Sequence, residues 1–351
     1  MSGLMERVTQ KALALGVPLS VHLDLTWRCH LSCIHCYLTE RNGRELTTAQ
    51  LVRLLEELAE CGTLFLLVSG GEVFLRPDFF EIVEAARELA FSVRVKTSGT
   101  LLDDEAARRL ARLHVAGVDV SLYSHRPEVH DAVTRLEGSF ARTVEAVRRL
   151  VVHGVKVRVV QVLMRMTEGE YSRVRELAAE LGAEYSLDPT VTPRLDGSRS
   201  VVRLNASHAA WRKVFEDPEL DARPEHCPLS PEPQEAAQTA PEWDSLPCSA
   251  GHTSCYISPS GDVYPCVQFP LALGNVTERP FREIWADSPA ARRVRSIRVA
   301  DLPICRSCEF LNQCSRCPGL AYMEGDLTGP SRLNCEQVFA RTGRRPAPLA
   351  E

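Results

Sequence analysis

Between Ser20 and Asp188 the chain alternates short apolar runs of β type with amphipathic segments of helical period, and this rhythm narrows the fold more than any other feature. The candidate strands are Ser20–Thr26, Leu64–Ser69, Phe91–Thr97, Val118–Leu122, Lys156–Leu163 and Glu184–Leu187. Between and after them Leu51–Cys61, Phe79–Leu89, Asp104–His114, Phe140–His153 and Tyr171–Leu181 carry the 3.6-residue period. Repeated β-α units of this length imply a parallel sheet with right-handed crossovers. Six units are too few to close an eight-stranded barrel, so the expected core is a partial (β/α)6 TIM-type barrel, an α/β fold.

Past Leu187 the rhythm stops. Nine prolines from Pro189 to Pro247 punctuate a polar stretch with one credible helix, Ser207–Phe215. From Cys248 to Cys335 cysteines crowd together while periodicity fades, as expected where metal ligation replaces a large apolar core. The expected division is a helical extension (1–19), the barrel (20–190), a bridging segment (191–247), a small cysteine-rich domain (248–340) and a tail (341–351).

Net charge of −5 gives no basic field for nucleic acid. The first nineteen residues lack a signal-peptide pattern, and no apolar run approaches the ~20 residues of a membrane span. The expectation is a cytoplasmic protein without nucleic-acid or membrane partners. In that compartment 13 cysteines stay reduced, which favours metal ligation over disulfides.

Cys29, Cys33 and Cys36 follow the first strand with the spacing Cys-x3-Cys-x2-Cys. Three thiolates so placed can hold three irons of one [4Fe-4S] cluster and leave the fourth open to a small molecule. A zinc site or a fragment of a disulfide framework has to be weighed against this. The position, at the carboxyl end of a parallel strand, suits an active site. At the end of the second strand Ser69-Gly70-Gly71-Glu72 combines close backbone approach with an acceptor for an ammonium group, although alone it reads as a turn. Thr97-Ser98-Gly99-Thr100 ends the third strand and Ser121 the fourth, and Arg135 offers a guanidinium fork or a solvated surface charge. Downstream stand Cys248-x6-Cys255-x5-Gly261-x4-Cys266, then Cys305-x2-Cys308-x5-Cys314-x2-Cys317, then Cys335. Eight thiols allow two four-cysteine sites, for iron–sulfur clusters or for zinc.

With His35 in the aromatic slot, the first triad resembles the Cys-x3-Cys-x-aromatic-Cys motif of the radical S-adenosylmethionine (SAM) superfamily, and the C-terminal set resembles that superfamily's SPASM domain. The resemblance implies a radical SAM partial barrel with a SPASM domain. It implies SAM chelated to the open iron and cleaved reductively to a 5′-deoxyadenosyl radical. Gly70, Gly71 and Glu72 match the segment that takes the SAM ammonium, although Val73 stands where proline is common. Ser98, Ser121 and Arg135 resemble further SAM contacts, with Ser98 replacing an asparagine. Three [4Fe-4S] clusters are implied: one on Cys29, Cys33 and Cys36, a first auxiliary cluster on Cys248, Cys255, Cys266 and Cys317, and a second on Cys305, Cys308, Cys314 and Cys335. Many members have one more residue between the positions of Cys314 and Cys317. Cys61 and Cys227 are left over, Cys61 as a small buried hydrophobe.

The activity so implied is oxidative modification of a ribosomally made peptide or protein, by crosslinking, decarboxylation or a related maturation. A separate leader-peptide recognition protein and a reductant such as flavodoxin or ferredoxin are the expected partners. The rival readings are a formylglycine-generating sulfatase maturase, an enzyme acting on a small molecule or cofactor precursor, and a non-enzymatic iron–sulfur or zinc protein. The open-iron triad together with Gly70-Gly71-Glu72 at successive strand ends argues against the last, since a plain carrier needs neither.

Overall fold

The computed structural model describes residues 2–220 and 243–349, the side chain of Ser2 excepted. Cys227 and the prolines from Pro224 to Pro241 lie outside the described residues. After helix α1 (Ser2–Leu15) come β1 (Ser20–Asp24), α2 (Thr48–Glu60), β2 (Phe65–Ser69), α3 (Phe79–Glu88), β3 (Ser92–Thr97), α4 (Asp104–Arg112) and β4 (Gly117–Ser121). Two helices then follow in succession, α5 (Pro127–Thr134) and α6 (Ser139–Val152), before β5 (Val157–Val162), α7 (Tyr171–Glu180) and β6 (Glu184–Asp188). All six expected strands are present. Helix α5, with Pro127 in its first turn, is an addition to the sequence reading, since 8 residues are too few to display a period.

The six strands are parallel neighbours in chain order. The sheet continues past β1 with β7 (Ser254–Ile257), also parallel, and then antiparallel β8 (Asp262–Tyr264) and β9 (Gly274–Asn275). The C-terminal part therefore does not replace an apolar core with metal alone, as the sequence led one to expect. Ile257, Val263 and Leu273 enter the same core as Val21, Leu55 and Val95, joined by Phe281, Ile284 and Trp285 of α9 (Phe281–Asp287) and Ala291 of α10 (Pro289–Ser296). This sharing was invisible locally because β7 pairs with a strand more than two hundred residues earlier. A second core joins α8 (His208–Glu216) through Trp211 to α11 (Pro318–Met323) and α12 (Arg332–Thr342), and the Trp211 indole donates to Pro189 O at 2.7 Å.

On β1, β3, β4 and β5 the polar residues His22, Asp24, Arg94, Lys96, Asp119 and Arg158 interrupt otherwise apolar runs. Period-2 alternation sends them all to the concave face, with Val160 and Val162 of β5, while residues such as Val21, Leu23, Val95 and Val120 face the helices. Asp119 is paired in register with Lys96 on one side and Arg158 on the other. Its carboxylate, 1% exposed, is held by Arg94 at 2.5 Å and by both Nε and Nη2 of Arg158 at 3.1 and 2.7 Å.

Candidate active site

The loop after β1 is pinned from several sides before it presents its cysteines. Thr26 Oγ1 and Trp27 N donate to Glu45 Oε1 at 2.6 and 2.9 Å, and the Trp27 indole donates to Arg44 O. Ser32 N and Ile34 N donate to Thr134 O and Val133 O at the end of α5, and Arg41 donates to Leu31 O. The cavity of about 1200 Å3, its mouth included, is lined by Cys29, Cys33 and Cys36 with His35, Gly70, Gly71, Ser98 and Ser121, residues of four strand ends. The sequence-predicted positions thus converge on one space. Arg135 is not among its walls; it is exposed, in left-handed conformation at the end of α5.

Glu72 also departs from the expectation of a free acceptor for an ammonium. It is 1% exposed and does not line the cavity. Its Oε1 accepts from Thr97 Oγ1 at 2.7 Å and Phe74 N at 3.4 Å, and its Oε2 accepts from Ser98 N at 3.0 Å and from the Ser98 hydroxyl. Four donors fill the roughly four lone-pair sites of a carboxylate. Glu72 is therefore a clamp between the loops after β2 and β3. The glycines serve the same packing: a Cβ on Gly71 would stand 2.2 Å from Arg28 O, and one on Gly70, whose φ is +135°, 2.6 Å from Thr26 O. Gly71 N and Glu72 N donate to Thr26 O and Arg28 O, so this turn is stitched directly to the cysteine loop.

Cys29, Cys33 and Cys36 are the donor set open to an iron–sulfur occupant. Burial pushes the Cys33 thiol up to about 12, aided by the charges of Cys36 and Cys29. Burial likewise raises Cys29, with Glu72 and Cys36 adding to it. Three mutually repelling sulfurs in one pocket are relieved by a cationic centre. Single-ion zinc would draw its thiolates to about 3.8 Å of each other at Zn–S distances near 2.3 Å. Among the described residues no group of three or more His, Cys, Asp or Glu side chains is arranged to hold a single metal ion. His35 Nδ1 is buried without a hydrogen-bond partner among the described residues, and burial with nearby Lys96 lowers its ring to about 4. The residues present fit a [4Fe-4S] cluster in the cavity.

Below the thiols the lumen holds groups that the sequence reading did not single out. Asp24, 0% exposed, accepts from the hydroxyls of Tyr37 and Tyr256 at 3.0 and 2.9 Å and lies 3.0 Å from His22 Nε2. His22, Tyr37 and Lys96 line the cavity, as do Val267 and Gln268 from the cysteine-rich part. The signal that could have found the strand residues is the alternation itself: a polar residue at every second place of an apolar strand faces a lumen.

In the C-terminal part Cys305, Cys308, Cys314 and Cys335 form one group. Burial, then the charges of Cys335, Cys305 and Cys308, push Cys314 up to about 12. Burial, then Cys305 and Cys308, do the same for Cys335. Cys248 and Cys266 pack together on Ala250 and Phe269, and Cys317 Sγ lies 4.0 Å from Gln268 Oε1. Cys255 is 3% exposed beside Val21, and burial, with the charges of Cys61 and Cys266 adding to it, holds its thiol far above the usual range.

Residues 24–179 match the radical SAM superfamily, and residues 248–309 match an iron-sulfur cluster-binding domain, SPASM. The chain is 30% identical over 335 residues to a mycofactocin maturase of Mycobacterium ulcerans, covering 90% of this chain and 87% of that protein. It is 29% identical over 333 residues to an AdoMet-dependent heme synthase of Methanosarcina barkeri, covering 88% and 93%. Its fold is similar to that of Streptococcus suis SuiB bound to the precursor peptide SuiA, with a TM-score of 0.75 and 19% identity over 92% of this chain and 77% of that one.

Proposed function

The chain belongs to the radical SAM superfamily, and from that premise we propose that it is a peptide maturase whose radical site and auxiliary sites act on one substrate in one cavity. It is an enzyme whose cofactors are SAM and [4Fe-4S] clusters. The observation that carries the reading is the wall formed by Val267 and Gln268: the cysteine-rich part lines the same cavity as Cys29, Cys33 and Cys36. Similarity to a PqqA peptide cyclase of Gluconobacter oxydans, 30% identical over 313 residues, supports a peptide as substrate.

Cys29, Cys33 and Cys36 would hold the catalytic cluster, and Gly70, Gly71, Ser98 and Ser121 would line the place of SAM. Bound there, cluster and SAM supply hydrogen-atom abstraction from a substrate carbon. Closing a new bond from that carbon then requires the loss of one more electron and a proton. Eight thiols, Cys248, Cys255, Cys266 and Cys317 with Cys305, Cys308, Cys314 and Cys335, would hold acceptors for the electron. For the proton, His22 lines the cavity with its Nε2 3.0 Å from the Asp24 carboxylate, and would serve as the base. Lys96, for which no ion pair is formed among the described residues, gives the lumen a cation that suits a substrate carboxylate.

We further assign a cytoplasmic location, a flavodoxin- or ferredoxin-type reductant and a separate leader-peptide recognition protein. No described helix is long and apolar enough to cross a membrane. The test is anaerobic turnover of the reconstituted enzyme with SAM, dithionite and whatever short peptide proves to be encoded next to its gene. Formation of 5′-deoxyadenosine with a stoichiometric change in peptide mass supports the reading. The likeness to a heme synthase favours a second reading, a small-molecule cofactor precursor as substrate. An unchanged peptide, with such a precursor oxidised instead, would replace the first reading by the second.

A further inference from the structure

Arg316 stands between two cysteines of the C-terminal set, in the run Cys314-Ser315-Arg316-Cys317, and is only 8% exposed. A guanidinium carries five N–H donors. Arg316 Nε donates to Gly329 O at 2.9 Å, and Nη2 donates to Leu327 O and Gly329 O at 2.5 and 2.6 Å. Those bonds use the single hydrogen of Nε and both of Nη2. Nη1 is buried and finds no oxygen or nitrogen acceptor among the described residues. Nor does a carboxylate pair with the side chain among the described residues. Asp326, in the same loop as the two carbonyls, is exposed and accepts from Thr328 N and Oγ1. A cation buried in this way is costly unless an anion faces it. Here the group that faces it is sulfur. Burial raises the Cys305 thiol, and the charge of Arg316 and a hydrogen bond from it oppose that raise. Only Nη1 has hydrogens left for this bond. Cys314 feels the same charge, against the larger effect of burial. Arg341 also stands near Cys314, but its Nη1 donates to Gln313 O at 2.8 Å and its guanidinium lies over the Phe215 ring.

We propose that Arg316 donates from Nη1 to the Cys305 sulfur and, as a buried cation, raises the reduction potential of the iron–sulfur cluster held by Cys305, Cys308, Cys314 and Cys335. A cluster on four thiolates is an anion that gains one more negative charge on reduction, so a fixed positive charge and a hydrogen bond to a ligand sulfur both favour the reduced form. A buried donor left over for a ligand sulfur fits that group. This rests on the iron–sulfur reading given above.

The test uses the full chain, reconstituted anaerobically, with iron counted and the reduced clusters followed by low-temperature EPR through a potentiometric titration with dithionite. The signal in question is the one that Cys308→Ala removes. In Arg316→Gln the ratio of reduced to oxidised cluster at a fixed potential is expected to fall about tenfold for that signal, a midpoint lower by about 59 mV, while the other signals stay in place. An unmoved midpoint in a variant with the wild-type iron count overturns the proposal. A second measurement needs no variant to load its clusters: wild-type protein labelled with 15N at the arginine guanidino nitrogens is expected to show a 15N coupling on the same signal. Absence of that coupling, or its loss in Arg341→Gln, overturns the hydrogen bond and the proposal with it. A wild-type protein with only about four irons per chain would sink the iron–sulfur reading of the C-terminal part as well as this inference.

Discussion

Glu72→Gln separates a clamp from a direct ligand of SAM. The wild-type carboxylate receives four hydrogen bonds, from Thr97 Oγ1, Phe74 N, Ser98 N and Ser98 Oγ. The carboxamide keeps one acceptor oxygen. With that oxygen toward Ser98, the new NH2 meets Thr97, whose hydroxyl can turn and accept, and Phe74 N–H, which loses its acceptor. The remaining bonds lose their charge assistance, about 1 kcal/mol each, the difference between charged and neutral hydrogen bonds. The total is about 2–4 kcal/mol, or a melting temperature lower by roughly 3–5 °C for a chain of this length. The assay is thermal unfolding of cluster-loaded protein without SAM, followed by calorimetric titration with SAM. A clamp shows its loss before SAM is added. Unchanged melting together with a tenfold weaker SAM affinity would refute the clamp and return Glu72 to the ammonium.

Gly71→Ala is expected to push the cysteine loop away, since its Cβ would stand 2.2 Å from a backbone oxygen; overpacking costs about 1–3 kcal/mol, and colorimetric iron should fall by about four per chain. Full iron content with wild-type melting would show that the loop can give way. Asp119→Ala takes the shared carboxylate from Arg94 and Arg158, which are only partly buried, and chemical denaturation should register a loss of about 1–3 kcal/mol; a change below about 0.5 kcal/mol contradicts the account. His22→Gln should slow product formation by about 10²–10⁴-fold while SAM cleavage without substrate stays at the wild-type rate; equal loss of both would remove His22 from the proton step.

The strands and most helices were legible because their signals are local: apolar runs, 3.6-residue periods and the cysteine and glycine motifs at strand ends. What escaped depends on partners far along the chain. Glu72 reads as a binding group until Thr97 and Ser98, twenty-five residues later, take up its oxygens. Cys255 reads only as one more thiol in a spacing pattern until its strand is seen to pair with β1, more than two hundred residues earlier, and to bury it beside Val21. Arg135 fitted a contact role by sequence position, yet the end of α5 leaves it exposed. The lumen charges were readable in principle, since His22, Asp24, Arg94, Lys96 and Asp119 occupy alternate places in otherwise apolar strands.

The central claim is that Cys29, Cys33 and Cys36 hold the centre that cleaves SAM. It is tested most directly by 5′-deoxyadenosine released under dithionite, measured for the wild type and for the variant with all three changed to alanine. The account predicts release from the wild type and none from the variant, which keeps its C-terminal iron. Equal release from both would contradict it.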